Sequence, residues 1–401
     1  MELILDVLNY ILVAILIGVS TAWAFLIKSM INSVRLTPYL DKFEKKEHVN
    51  PKVSVILPAR NEEEFIGKCL DSLIDQDYKN YEIIVIDDSS EDGTGKIISE
   101  YAKKNSKIIS VVAQIKPDGW MGKNWACMQG YKKATGELLL FTDADTKHSQ
   151  NVISLAVSHL LSFNLDALSA IPKMKTLDFW TRITLPMIST FLHTRFSAIR
   201  VNDPSKKTAY FFGSFFIIKQ KTYESVGTHE GVKHEIIEDG ALGKKVKESG
   251  HKMKIVRGDH LIEAVWARDK STLWNALKRL MIPLYLQSQK IAIGSFFAVL
   301  FLLFMPFPIL AYSALWALET TSFSMLFIVS FFASMMIYIG AIIEVKKLLQ
   351  LRLIDALFAP LGGLVVVLGF LSGLVNAKSS TVFWRGRKYS MKDHVQNSIN
   401  V

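Results

Sequence analysis

Hydrophobic positions along the chain fall into two regimes. Four long apolar runs, Ile4 to Ile27, Ile291 to Leu318, Phe323 to Ile343 and Leu353 to Val375, flank a central stretch where short apolar runs alternate with mixed segments. Each long run is close to the ~20 residues a helix needs to cross a bilayer. Between about residues 52 and 258, Val53 to Pro58, Glu82 to Asp87, Ile108 to Ala113 and Leu138 to Thr142 are short and apolar and read as buried parallel strands. Helical patterns over Glu62 to Gln76, Gly95 to Lys104 and Asn124 to Ala134 separate them. Alternation of this kind predicts a doubly wound α/β sheet.

Two of the strands run straight into acid. Ile83 to Ile86 leads to Asp87-Asp88, and Leu138 to Thr142 leads to Asp143-Ala144-Asp145. Ligands of open α/β sheets sit outside the carboxyl ends of the strands, so these carboxylates are presented at a crevice. A slight turn there aims Asp143 and Asp145 at one cation. A hard ion such as Mg²⁺ or Mn²⁺ takes one or two protein carboxylates and completes its shell with water and substrate phosphate.

Two further segments mix aromatic, aliphatic and basic residues. Residues 177–201 carry Phe179, Trp180, Ile183, Leu185, Met187, Ile188, Phe191 and Phe196 among Arg182, Arg195 and Arg200. A helix lying in the headgroup plane and an ordinary core helix both account for the pattern. Residues 265–289 contain a second basic amphipathic stretch, Trp274 to Leu286, that leads into the next apolar run.

Charge refines the topology. Only Glu2 and Asp6 stand at the start of the first run, whereas Lys28, Arg35, Lys42, Lys45 and Lys46 follow it. The positive-inside bias then puts residues 1–30 across the membrane as an uncleaved anchor and the central region in the cytosol. Residues 290–376 form the remaining membrane segments. Four full crossings would leave the basic tail, residues 377–401, outside, so one run is expected to be re-entrant. Pro360, Gly362, Gly363, Gly369 and Gly373 point to the fourth. The expected protein is therefore multi-pass with a cytosolic α/β domain. A net charge of +10 suits anionic headgroups or a phosphorylated substrate. Nucleic acid is excluded as a partner, because no basic stripe interleaved with exposed aromatics appears. Cys69 and Cys127 are the two cysteines, and no disulfide is expected between them. His229 and His234 in His229-Glu230-Gly231-Val232-Lys233-His234 are five apart, the wrong spacing for zinc on one helix face.

Five segments occur in a telling order: Val53 to Glu62, Val85 to Thr94, Thr142 to Asp145, Phe212 to Phe215 and Glu238 to Leu242. Together they resemble the successive signatures of family 2 glycosyltransferases. The resemblance implies a GT-A fold, Rossmann-like, with a nucleotide-sugar donor, a divalent cation and inversion at the anomeric carbon. Gly119 to Ala126 and the terminal Trp384-Arg385-Gly386-Arg387-Lys388-Tyr389 resemble the membrane branch that glycosylates lipids, such as ceramide, hopanoid-associated and carotenoid-acid glycosyltransferases.

Carried onto this sequence, the resemblance makes residues 50–260 the catalytic domain. Pro58, Ala59, Arg60 and Glu62 border the base and ribose, and Asp88 meets the edge of uracil. Asp145 ligates the cation, with Asp143 on the ribose or the metal. Lys123 is placed as a point charge on the diphosphate. Asp239 is the base that takes the acceptor's proton, with Glu238 as its alternative. One departure stands out. The processive members' Gln/Arg-x-x-Arg-Trp element reads here as Arg268-Asp269-Lys270-Ser271-Thr272-Leu273-Trp274, which favours a single transfer and leaves Arg268 or Arg279 to steady the leaving diphosphate. The expected partners are a UDP-sugar donor and a membrane lipid acceptor. A polyprenyl-phosphate acceptor and a catalytically silent nucleotide- or lipid-binding scaffold are the alternatives.

Overall fold

The computed structural model describes residues 2–43, 50–195, 197–377, 381–384 and 387–390. Lys45, Lys46, Phe196, Arg385, Gly386 and residues 391–401 of the tail lie outside them. In chain order the elements are α1 (Glu2–Leu36), β1 (Val53–Ala59), α2 (Ile66–Ile74), β2 (Tyr81–Asp87), α3 (Thr94–Lys104), β3 (Ile108–Val112), α4 (Gly122–Tyr131) and β4 (Leu138–Phe141). There follow β5 (Thr146–His148), α5 (Val152–Ser162), β6 (Ala167–Ile171), β7 (Lys173–Lys175), α6 (Phe179–Arg195), α7 (Ala198–Asn202), β8 (Phe216–Lys219), α8 (Gln220–Ser225), α9 (Glu238–Glu248), β9 (Met253–Arg257) and β10 (Ile262–Val265). The chain closes with α10 (Lys270–Gln287), α11 (Gln289–Leu303), α12 (Pro306–Trp316), α13 (Thr321–Ile343), α14 (Ala359–Asn376), β11 (Thr381–Trp384) and β12 (Arg387–Ser390).

Seven strands form one sheet in the order β3-β2-β1-β4-β8-β6-β9. Its first four strands are parallel, as their continuous apolar runs require. Val55, Leu57, Ile83 and Val85 pack on one face under α2, α3 and α5, and Ile56, Ile84 and Ile86 on the other. β8 then runs antiparallel to both β4 and β6, so the sheet is mixed rather than wholly parallel. A small sheet, β5-β10-β7, sits beside it. The chain moves outward from β1 to β2 and β3, then returns to place β4 on β1's other edge. The strand order therefore reverses at β1, where α/β sheets open a crevice.

Among the described residues, three helical stretches are long and apolar enough to cross a membrane: Leu3–Leu36, Thr321–Leu348 and Leu353–Asn376. The fourth apolar run, expected to be re-entrant, contains one continuous 18-residue helix, α14. Its glycines serve close packing instead of chain reversal. A Cβ on Gly362 would lie 2.1 Å from the Ile183 carbonyl oxygen, one on Gly363 2.3 Å from that of Leu303, and one on Gly369 2.6 Å from Leu277. Small residues let backbones approach in this way between apolar helices. The break falls in the second run, where α11 and α12 meet at 54° beside Pro306. Prolines end helices because the ring removes a donor and clashes with the preceding turn.

The two amphipathic segments become α6 and α10. Ile183, Leu185, Met187 and Ile188 of α6 and Leu273, Leu277 and Met281 of α10 are buried against α14 and its neighbours. The helical layer is also tied to the sheet. Leu40 N–H donates to the Arg257 carbonyl at 2.8 Å, Arg257 N–H to that of Pro38 at 2.7 Å, and the Arg257 guanidinium pairs with Asp259 at 2.8 Å.

Candidate active site

At the switch point, β1, β2 and β4 each deliver a loop. Pro58 to Glu62 leave β1, Asp88 follows β2, and Asp143 to Asp145 follow β4. All line one cavity of about 560 Å³, together with Lys123 from the start of α4 and Asp239 from the first turn of α9. The cavity continues past Ile171, Met174, Ile188, Leu280, Leu284 and Phe370 into the helical layer. Of the residues expected to act in the site, all but Arg268 line this one space.

Its polar centre is dense. Lys123 Nζ reaches Asp143 Oδ1 and Glu238 Oε1, each at 2.7 Å. Burial alone would lower the Lys123 pKa, but the charges of Asp143, Glu238 and Asp239 hold it well above its ordinary value. It is a fixed bridging cation, not a solvated lysine at a helix start. Asp239 differs from Glu238 in its partners: Oδ2 accepts from the Gly213 N–H at 2.7 Å and Oδ1 from the Gly240 N–H at 2.8 Å. Burial first and the neighbouring Glu238 charge second push its carboxyl up to about 7. Glycine is required at 213 by proximity. A Cβ there would lie 2.8 Å from Asp239 Oδ2, 3.0 Å from Lys123 Nζ and 3.5 Å from Asp143 Oδ2.

The loops are cross-braced. The Arg60 guanidinium donates to the Asp88 carbonyl at 2.7 Å, to that of Ser89, and to the Glu91 carboxylate at 2.9 Å. Asn61 and Ser89 adopt left-handed backbone at φ 53° and 56°, which turns both loops sharply at the crevice. Glu62, buried, pairs with Arg268, which also donates to the Asn61 carbonyl at 3.1 Å and lies over the Phe65 ring. Arg268 is therefore engaged at the β1 loop. Arg279 lines the shared cavity.

Among the described residues no three His, Cys, Asp or Glu side chains surround a common point as a metal cage would. Asp143 and Asp145 at the end of β4 nonetheless fit a hard cation that takes few protein ligands and fills its shell from phosphate and water. The segment His229 to His234 has another use. His229 hydrogen-bonds the Tyr223 hydroxyl at 2.6 Å and is held neutral by burial, its pKa lowered to about 3. Cys69 and Cys127 are buried and free.

One contact was not anticipated by the pattern of charges. Arg387 of β12 pairs with the Asp88 carboxylate and donates to its carbonyl at 3.2 Å, while Tyr389 lines the cavity. The terminal segment was visible in the sequence as a motif and a basic tail. Nothing in its spacing tied it to a strand end some 300 residues away.

Residues 54–227 match the profile of the family described as Glycosyl transferase family 2. Over that stretch, which is less than half of the chain, the sequence is that of a family 2 glycosyltransferase domain. Curated relatives include the 4,4'-diaponeurosporenoate glycosyltransferase of Staphylococcus haemolyticus, 27% identical over 209 residues, 51% of this chain and 55% of that one. Another is glycosyltransferase GlyA of Streptococcus pneumoniae, 30% identical over 118 residues, 29% of this chain and 16% of that one. The chain thus spans about half the length of the first relative and less of the second. Among solved structures, a mannosyltransferase from Pyrobaculum calidifontis in complex with GDP-Man and Mn2+ superposes with a TM-score of 0.52 at 19% identity, covering 85% of this chain and 98% of that one. The glycosyltransferase domain has the GT-A fold.

Proposed function

We propose that the protein transfers a single sugar, with inversion, from a nucleotide-sugar donor, UDP-linked, to the hydroxyl of a membrane lipid. The observation that carries this reading is the continuity of one cavity from the polar groups at the strand ends to an apolar wall built by α6, α10 and α14. A water-soluble donor and a lipid acceptor could meet there without either leaving its own solvent.

In this reading Pro58 to Glu62 and Asp88 hold the nucleoside. A carboxylate can accept the imide N–H of uracil. A Mg²⁺ or Mn²⁺ ion held by Asp145 with Asp143 would neutralise the donor diphosphate and the charge that builds on it as it departs. Lys123 fixes the Asp143 carboxylate and adds a positive charge beside the same groups. Arg279, on the cavity wall, is the arginine assigned to the leaving diphosphate in this reading, because Arg268, paired with Glu62, does not line the cavity.

Asp239 takes the proton of the acceptor hydroxyl as that oxygen attacks the anomeric carbon. Its carboxylate faces the cavity on two backbone N–H groups, whereas Glu238 is paired to Lys123 and so is the poorer base. A base near neutrality removes a proton most effectively at neutral pH. The charge bias around α1 supports a cytosolic catalytic domain at residues 50–260, with α6 and α10 at the membrane surface and residues 377–401 returning to the cytosol.

The test is to incubate membranes from expressing cells with a panel of labelled nucleotide sugars and to identify new glycolipids by mass spectrometry. One labelled lipid carrying one added sugar is expected. Release of free sugar alone would remove the lipid acceptor and leave a hydrolase, and no labelled product from any donor would remove the proposal in favour of a silent scaffold.

A further inference from the structure

The β11–β12 hairpin follows the last apolar helix and returns to the sheet. It ends at the donor side of the cavity. Asp88 is only 5% exposed, and its Oδ2 is taken by Arg387. The Tyr389 hydroxyl stands beside the Gly122 backbone at the start of α4. The fit is close. A Cβ on Gly122 would lie 2.6 Å from Arg387 Nη1, 2.8 Å from the Tyr389 hydroxyl and 2.9 Å from Asp88 Oδ2. Three elements far apart in sequence, β2, α4 and β12, therefore converge on one carboxylate.

Resting on the nucleotide-sugar reading above, the geometry points to Arg387 as a positioning residue of the donor site. It holds Asp88 ionised and oriented, so that the carboxylate remains a pure acceptor for a nucleobase carrying a ring N–H. Uracil and guanine have that group, and adenine and cytosine do not. A buried carboxylate stays charged only when a cation compensates for its lost hydration. Protonation would turn one of its oxygens from acceptor to donor and set it against the N–H of the base. Arg60 also lends its charge to Asp88, but its guanidinium donates to the Asp88 and Ser89 carbonyls and to Glu91 and leaves the Asp88 carboxylate oxygens to Arg387. The same contact makes the hairpin a wall of the nucleotide pocket, anchored at its other end to the helix α14.

Burial raises the Asp88 pKa and the Arg387 charge opposes that rise. Removing Arg387 therefore lets burial and the neighbouring Asp87 charge raise the Asp88 pKa further, so that the carboxylate is lost at a higher pH than in wild type. A role confined to folding would not produce such a pH-dependent defect.

The experiment uses the full-length protein in lipid nanodiscs with Mn²⁺, titrated with UDP, GDP, ADP and CDP by calorimetry. Wild type is expected to bind UDP or GDP in preference to the other two. Arg387→Gln is expected to weaken that binding by about tenfold or more. Its affinity should fall further from about pH 8 to about pH 6, a range over which wild type changes little, and Arg387→Lys should restore part of the loss. Binding by Arg387→Gln that equals or exceeds wild type would overturn the inference and make the hairpin a plug, with the donor reading intact. Wild type that binds none of the four would overturn the donor reading and this inference with it.

Discussion

The sheet crevice and the helical layer meet in one cavity but are built on opposite principles. At the crevice, position is set by charge. Lys123 bridges two carboxylates, Arg60 spans two loops, and Arg387 and Arg268 each clamp a buried acid. In the helical layer position is set by shape, with glycines of α14 pressed against Ile183, Leu303 and Leu277. A charged site resists the loss of one partner poorly, because a buried ion is left uncompensated. A shape-matched layer tolerates changes of charge and fails on added volume. In the proposed reading, the contrast marks where donor chemistry ends and lipid accommodation begins.

The largest effect that would sharpen this comparison lies at the proposed base. Asp239→Asn keeps the size and removes the proton acceptor, and kcat should drop by about 10²- to 10⁴-fold with donor affinity nearly kept. A drop confined to KM would move Asp239 out of the chemistry. Next comes Gly213→Ala, whose methyl would collide with Asp239 and Lys123. It should cost roughly tenfold or more in kcat/KM while the far-ultraviolet circular dichroism stays that of wild type. On the other side of the divide, Gly369→Leu should separate α14 from α10, raise the KM for the acceptor and leave the Kd for nucleotide unchanged. An equal loss in both would mean that the two halves are not separable.

pH probes the polar half alone. As the proposed base Asp239 must be ionised to act, and its folded pKa is raised to about 7, so activity should climb as pH rises through that value and fall below it. An acceptor that is already ionised, such as a polyprenyl phosphate, would show no such limb. A smaller effect concerns stability. His148, buried under the β4 loop against Thr142, has its pKa lowered from the ordinary 6.5 to about 3. The fold accepts only the neutral ring, whereas the unfolded chain takes up a proton below about 6.5. Its contribution is complete above that pH and is lost as pH falls toward 3, so thermal unfolding should shift down on acidification. His148→Gln should flatten the shift.

Much of the crevice was legible because it is local. An apolar run that ends in Asp143-Ala144-Asp145 states both the strand and the side of the sheet on which the acid emerges. The direction of β8 was not legible, since apolar periodicity carries no sign of strand polarity. Glycines in the fourth apolar run suggested a turn, because the same residue serves chain reversal and close packing, and only the neighbours Ile183, Leu277 and Leu303 decide between them. Lys123 could be placed near the diphosphate, but its burial depends on Glu238, more than a hundred residues later. The Arg387 pair with Asp88 is the extreme case: it exists only because α10 and α14 carry the hairpin back to the sheet.

The central claim is that one cavity brings a metal-bound donor and a membrane acceptor to Asp239. Sugar transfer by the purified full-length protein in nanodiscs, with added lipid extract and Mn²⁺, tests it most directly when wild type is set beside Asp145→Ala and Asp239→Asn. The account predicts metal-dependent glycolipid formation by wild type, its loss on chelation, and its near abolition in both variants. Undiminished transfer by Asp145→Ala, or by Asp239→Asn, would contradict it.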